Sequence, residues 1–343
     1  EQTSYHFVGY VGVLAFLWAG LALGLYLAGS RPARLWSRSG PLALGAGVLV
    51  GAGMVWAIFA INVSLVRADV FYKQGQAADN YQQWDASIAF HTKAIELAPD
   101  QDYYYLFLGR AQLEKAQRTE DAATRESLIW ESEKILQQAQ KLNPLNTDHT
   151  ANLGRLYQVW AQMATDPNVR EQRFEKALEY FRQATELSPH NAQLFNEWGQ
   201  TYQMMGRPNE ARARYERSLS LDAQFYMTYW LLGQLAMAEN NLAEAEAMLE
   251  KSVALEPGSI QARSALGVVY ARQGRLAEAA EQNLTVLRAV PNDYISRRNL
   301  ADLYLQTGQT REALNQAWAA RNLAPHYALQ LMDDLVLEID AAL

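Results

Sequence analysis

From Ala192 to Tyr327 one pattern of residues returns four times at a fixed step of 34, and a step of that size restricts the chain to a repeat architecture. Gly199, Gly233 and Gly267 are 34 apart, and the next step lands on Ala301. A second column holds Ala211, Ala245, Ala279 and Ala313, and a third holds Tyr202, Tyr270 and Tyr304. Ala223, Pro257, Pro291 and Pro325 close the four units. Breaks such as Gly206-Arg207-Pro208-Asn209 and Gly274-Arg275 predict that each unit is two antiparallel helices, because glycine accepts the left-handed backbone that ends a helix. Small residues belong where the two backbones touch, with the tyrosine filling the wider gap beside them. A single unit cannot bury its own apolar face, so neighbours must stack into a solenoid with one continuous core.

The order of a bulky residue with glycine (Trp198-Gly199, Leu232-Gly233, Leu266-Gly267), then tyrosine, alanine and proline, resembles the tetratricopeptide repeat. The resemblance implies a helix-turn-helix unit and covers residues 68–327. Seven units are expected, near 68–101, 102–146, 147–191, 192–225, 226–259, 260–293 and 294–327. The second and third are longer: Gly109 to Gly154 and Gly154 to Gly199 are each 45 residues. Sharing the 11 extra residues, about three helical turns, between both helices keeps the apolar face in phase. They fall around Ala116 to Glu126 and Met163 to Arg173, with a turn at Asp166-Pro167-Asn168. Residues 328–343 read as one amphipathic capping helix, with Leu329, Leu331, Met332, Leu335, Val336 and Ile339 on the buried face and Asp333, Asp334, Glu338 and Asp340 toward solvent.

Ahead of the repeats, residues 5–29 and 41–66 are uncharged runs, each long enough to span a bilayer as a helix. The expected fold is therefore all-α: a two-helix transmembrane hairpin over 1–66, with lipid around 5–29 and 41–66, then a solenoid over 67–327 and the cap. Small-residue spacings at Gly20 with Gly24 and Gly47 with Gly51 let the two spans pack closely. The connecting loop carries Arg31, Arg34 and Arg38 and no acid, which places it in the cytoplasm and the repeats on the outer face of a bacterial membrane, periplasmic or extracellular. Residues 1–66 carry net +2, so the overall −7 leaves −9 for residues 67–343. That acidity argues against nucleic acid as a partner. No cysteine occurs, which excludes disulfides and thiolate chemistry.

No catalytic constellation is legible. The five histidines show no metal-ligand spacing, and neither a nucleophile elbow nor a phosphate-binding glycine loop occurs, so no enzyme activity, cofactor or metal is expected. What remains is a binding surface. In arrays of this kind the first helices line the concave side. That register selects Asn196, Gln200, Trp230, Gln234, Met237, Arg272 and Arg298 as a partner-binding groove, with a protein partner or self-association as the expected use.

The two spans, the arginine loop and the stretch from Arg67 through Ala68, Asp69, Val70, Phe71, Tyr72, Lys73 and Gln74 to Gly75 also resemble the C-terminal part of bacterial O-antigen ligase or polymerase membrane proteins that carry tetratricopeptide tails. That resemblance implies the tail of a glycan-transferring enzyme without its catalytic core. Three uses follow: a membrane-anchored scaffold for another protein, a detached part of a glycan-transferring enzyme, or a subunit of a filament built by head-to-tail stacking of open array ends.

Overall fold

The structure, a computed structural model, describes residues 51–53, 56 and 63–341. It divides into two units, Glu1–Val70 and Phe71–Leu343. In the first, the described residues are all helical. Of the expected hairpin, 5–29 lies wholly outside the described residues and 41–66 mostly so. Among the described residues no helix is long and apolar enough to cross a membrane.

The second unit, in its described residues, forms helices joined by short turns. It opens with residues 71–80 (α1) and continues with Trp84–Leu97 (α2), Asp102–Arg118 (α3), Ala122–Leu142 (α4), Thr147–Gln162 (α5) and Pro167–Leu187 (α6). Ala192–Met204 (α7), Pro208–Leu221 (α8), Tyr226–Ala238 (α9), Leu242–Leu255 (α10), Ile260–Arg272 (α11), Leu276–Ala289 (α12), Tyr294–Gln306 (α13) and Thr310–Leu323 (α14) follow. A 3₁₀ turn, His326–Ala328, leads into Leu329–Asp340 (α15). Odd-numbered helices up to α13 are therefore the first helices of seven repeats, even-numbered ones the second, and α15 the cap. From α3 to α13 each first helix packs most heavily on its own second helix and next on the preceding repeat's second helix. First helices from α3 to α13 also touch the next first helix, whereas second helices make no comparable contact with one another. First helices are therefore the more closely spaced row, which makes theirs the concave face.

The glycine column is where the paired helices meet, and the opposing group is larger than the sequence pattern implied. A Cβ added at Gly199 would stand 2.5 Å from the ring of Tyr215, and one at Gly233 would stand 2.6 Å from Leu249 Cγ. Gly75 faces His91, Gly109 faces Leu136, Gly154 faces Phe181 and Gly267 faces Asn283. Ala301 instead shares its cluster with the small Ala317, so the two columns compensate in size. The alanine column, Ala211, Ala245, Ala279 and Ala313, is fully buried one turn before, with its carbonyls beside the glycines in the first three of these repeats.

The turn that ends each regular first helix needs one left-handed residue. Gly206, Gly274 and Gly308 hold it at φ +71°, +80° and +75°. Gln82 and Asn240 take the same place in repeats one and five, at φ 56° and 58°. The following amides close it: Gly206 N–H donates to Gln203 O at 3.0 Å and Arg207 N–H to Tyr202 O at 2.9 Å.

Repeats two and three lengthen as expected. Their first helices have 17 and 16 residues against 13 in repeats four to seven, and both second helices have 21 against 14, an addition of two turns. Asp121 and Asp166 cap the long second helices by accepting from Thr124 N–H and Asn168 N–H. The lengthened ends are tied together: Trp160 Nε1 donates to Glu126 at 3.0 Å, and Arg173 bridges to Glu126 at 2.7 Å while its guanidinium lies 4.1 Å from the Trp160 ring.

Two histidines left without a role by the sequence are fully buried. His91 Nε2 lies 3.2 Å from Asp79 Oδ2, and His149 Nε2 lies 2.6 Å from Asp102 Oδ2. Burial pulls the Asp102 carboxyl up, but hydrogen bonds from His149, Asn143 and Asn146 outweigh it and hold the group below its ordinary range. In the cap, Met332, Leu335, Val336 and Ile339 are buried as expected. Leu331 is not: it is 50 % exposed, because the buried stripe runs along 332, 335, 336 and 339 and leaves 331 at its flank.

Candidate partner-binding groove

The concave face is lined by four positions per first helix, six and three residues before the glycine column and one and four after it. Helical spacing puts these four on one side of the helix. On repeats four to seven they enclose a groove of about 610 Å³. Its floor is apolar, with Trp230, Met237, Ala265, Val268 and Ile295, and its rim is polar, with Gln234, Gln261 and Arg298. Trp230 is half-buried: it packs against two core clusters that together run from repeat four to repeat seven, and it also lines the groove. Ile295 is 46 % exposed, more than a core isoleucine and consistent with a contact surface. An adjoining hollow of about 330 Å³ shares Val268 and Asn299 with the groove and adds Arg272, Asn283 and Asp302. Burial pushes the Asp302 carboxyl up, against the pull of Arg298, with Glu338 adding to the rise.

The residues selected from the sequence separate into four groups. Trp230, Gln234, Met237 and Arg298 converge on the groove. Arg272 is exposed and lines the adjoining hollow, its guanidinium 3.4 Å from the Met237 carbonyl. Gln200 is half-buried on repeat four and does not line the groove. Asn196 was expected on the open face and is instead 2 % exposed. Its amide donates to Thr228 Oγ1 at 2.9 Å, and Thr228 is bonded in turn to Ser218, so this asparagine seals the contact between repeats four and five.

Ser264, Val268, Gln261 and Ile295 were not selected, although the signal was present. Ser264 and Val268 stand at the same offsets from Gly267 as Trp230 and Gln234 do from Gly233, and Gln261 and Ile295 stand six before Gly267 and Ala301. Small or aliphatic side chains at those offsets do not announce a contact, whereas Trp and Arg do. Among the described residues no group of three or more His, Asp or Glu could hold a metal ion.

An all-helical stack of paired helices with its first helices on the concave side defines the class: a tetratricopeptide-repeat solenoid. Tetratricopeptide repeat models match residues 168–232 and 230–294, so the chain carries these repeats. Among solved structures it is similar to a tetratricopeptide repeat protein from Parabacteroides merdae ATCC 43184, with a TM-score of 0.55 and 13 % identity over 80 % of this chain and 98 % of that one. It is also similar to pilF of Pseudomonas aeruginosa, with a TM-score of 0.51 and 17 % identity over 69 % of this chain and 98 % of that one. At such identities the likeness is one of fold. No curated protein matches the chain. The O-antigen ligase resemblance is not shown by these comparisons.

Proposed function

We propose that the chain is a scaffold that holds another protein in the concave groove of repeats four to seven. The observation that carries this reading is the convergence of Trp230, Met237, Val268 and Ile295 into one apolar floor on the concave face, bordered by Gln234 and Arg298. A core position has no need to leave such side chains facing solvent, and interface energy concentrates in buried aromatic and arginine anchors. A photo-crosslinking residue at Gln234 should trap a partner, and the same group at the exposed Leu284 of α12 should not. Trp230→Ala should weaken capture by about 1–2 kcal/mol, roughly five- to thirty-fold, with the fold unchanged. Equal trapping at both positions would place the contact outside the groove.

The same proposal anchors the scaffold in a bacterial membrane through 5–29 and 41–66, with the repeats on the outer face. It rests on the two apolar runs and the three arginines between them. Single cysteines at Ser37 and at the exposed Ala254 should react with an impermeant reagent from opposite sides of sealed vesicles. Reaction of both from one side would remove the hairpin.

A further inference from the structure

In repeats five and six the first helices differ in charge from the second helices behind them. Within α9 there is no charged residue, α11 carries Arg263 and Arg272, and α13 carries Arg297, Arg298 and a single acid, Asp302. On the opposite side, α10 carries Glu244, Glu246, Glu250 and one lysine, and α12 carries Glu278, Glu281 and one arginine. At the cavities themselves the charged groups are Arg298 in the groove and Arg272 with the single acid Asp302 in the adjoining hollow, and the second helices of repeats five and six behind them are acidic. The two arginines at the groove are also distinct from those at the repeat junctions. Arg155 is paired with Glu197, Arg212 with Glu239 and Glu244, and Arg275 with Glu246 and Glu278. Arg298 and Arg272 have no carboxylate within ion-pair distance among the described residues, and Arg272 reaches only a backbone carbonyl.

We propose that the occupant of the groove is an acidic protein segment bearing a large apolar side chain, which seats on Trp230, Met237, Val268 and Ile295 while its carboxylates meet Arg298 and Arg272. This rests on the reading of the groove as the partner site. An apolar side chain covering the floor would exclude water from the guanidinium beside it, and a charge-assisted, bidentate bond gains strength in such a place. The apolar floor selects a peptide over a polyanion without apolar groups, and the cationic rim selects against basic segments by like charge. Asp302 stands against the acidic ligand, so its removal and the reversal of Arg298 must act in opposite directions.

The test uses the full chain and three fluorescent synthetic peptides with one shared leucine and phenylalanine pattern, their remaining positions filled with glutamate, glutamine or lysine. The glutamate peptide should bind about tenfold more tightly than the glutamine one, with the lysine peptide weakest, and added salt should narrow the difference. Arg298→Glu combined with Arg272→Glu should invert the order, and Asp302→Asn should tighten the glutamate peptide by about threefold. Equal binding of the three peptides, still lost in Trp230→Ala, would overturn the acidic preference and leave the groove as the partner site. Absence of any Trp230-dependent binding would overturn both. Preference for a labelled single-stranded oligonucleotide over the glutamate peptide would also overturn the proposal, in favour of a nucleic-acid ligand.

Discussion

Gly199→Leu will cost more than about 3 kcal/mol and will melt the middle of the array, whereas Gly267→Ala will stay within about 1 kcal/mol of the parent. At Gly199 even a methyl group meets the Tyr215 ring at 2.5 Å and the Ala211 carbonyl oxygen at 3.1 Å. Tyr215 is fully buried and its hydroxyl donates to Gln203 at 2.8 Å, so the ring cannot swing aside without losing that bond. The backbone oxygen cannot move unless α8 moves. A leucine adds three more carbons to a space already closed, and the only relief is separation of α7 from α8. At Gly267 the nearest atom is the Asn283 amide nitrogen at 3.0 Å, a contact that a shift of a few tenths of an ångström relieves. The gain of about 0.5–1 kcal/mol from replacing a helical glycine by alanine offsets that shift. Because each repeat leans on its neighbours, loss of the α7–α8 contact should also loosen repeats three and five. Denaturant unfolding followed by circular dichroism measures the ranking, and a Gly199→Leu protein that unfolds at the parent's midpoint would show that the register is wrong.

Asp102→Ala should cost about 2–3 kcal/mol, the second largest effect. The carboxylate accepts from the fully buried His149 and from Asn143 and Asn146, across the junction between repeats two and three. Its removal leaves an imidazole with no exposure, whose Nδ1 already has no partner. The same group makes stability depend on pH. The folded-state pKa of Asp102 lies below its ordinary value of 3.8, so its contribution is fully present above that value and is lost as the pH falls through the lower, folded one. Asp102→Asn should keep part of the hydrogen bonding and blunt that acid-dependent loss. Unfolding midpoints measured from pH 6 downward test both statements, and parent and Asp102→Asn curves of the same shape would show that another group carries the acid sensitivity.

Much of the fold was legible because the constraint that produces it is periodic. The step of 34 and the glycine and alanine columns locate the packed helices, and the breaks after Gly206 and Gly274 locate the turns. Gln82 and Asn240 were less legible at that turn, since only the tertiary structure shows these side chains holding the left-handed place that glycine takes elsewhere. The 11-residue additions were readable as whole turns. The cross-links at their ends, from Glu126 to Trp160 and Arg173, were not, because they join residues 34 and 47 apart in positions that the repeat pattern does not govern.

By itself, the sequence determined that this chain stacks tetratricopeptide helical pairs into an all-helical solenoid, and which column of each first helix points toward the concave side. Which residues of that side form a site was decided only by the tertiary structure. Asn196, Trp230 and Arg298 occupy the same column, three residues before Gly199, Gly233 and Ala301. Trp230 and Arg298 line the groove, yet Asn196 is sealed between repeats. The physical reason is that exposure at this column depends on the neighbouring repeat. Thr228 stands opposite Asn196 and accepts from its amide nitrogen, and among the described residues no equivalent hydroxyl is bonded to the indole of Trp230 or the guanidinium of Arg298. A repeat period fixes each residue's direction from its own helix, but the partner it meets comes from another helix, and that pairing exists only once the array has stacked.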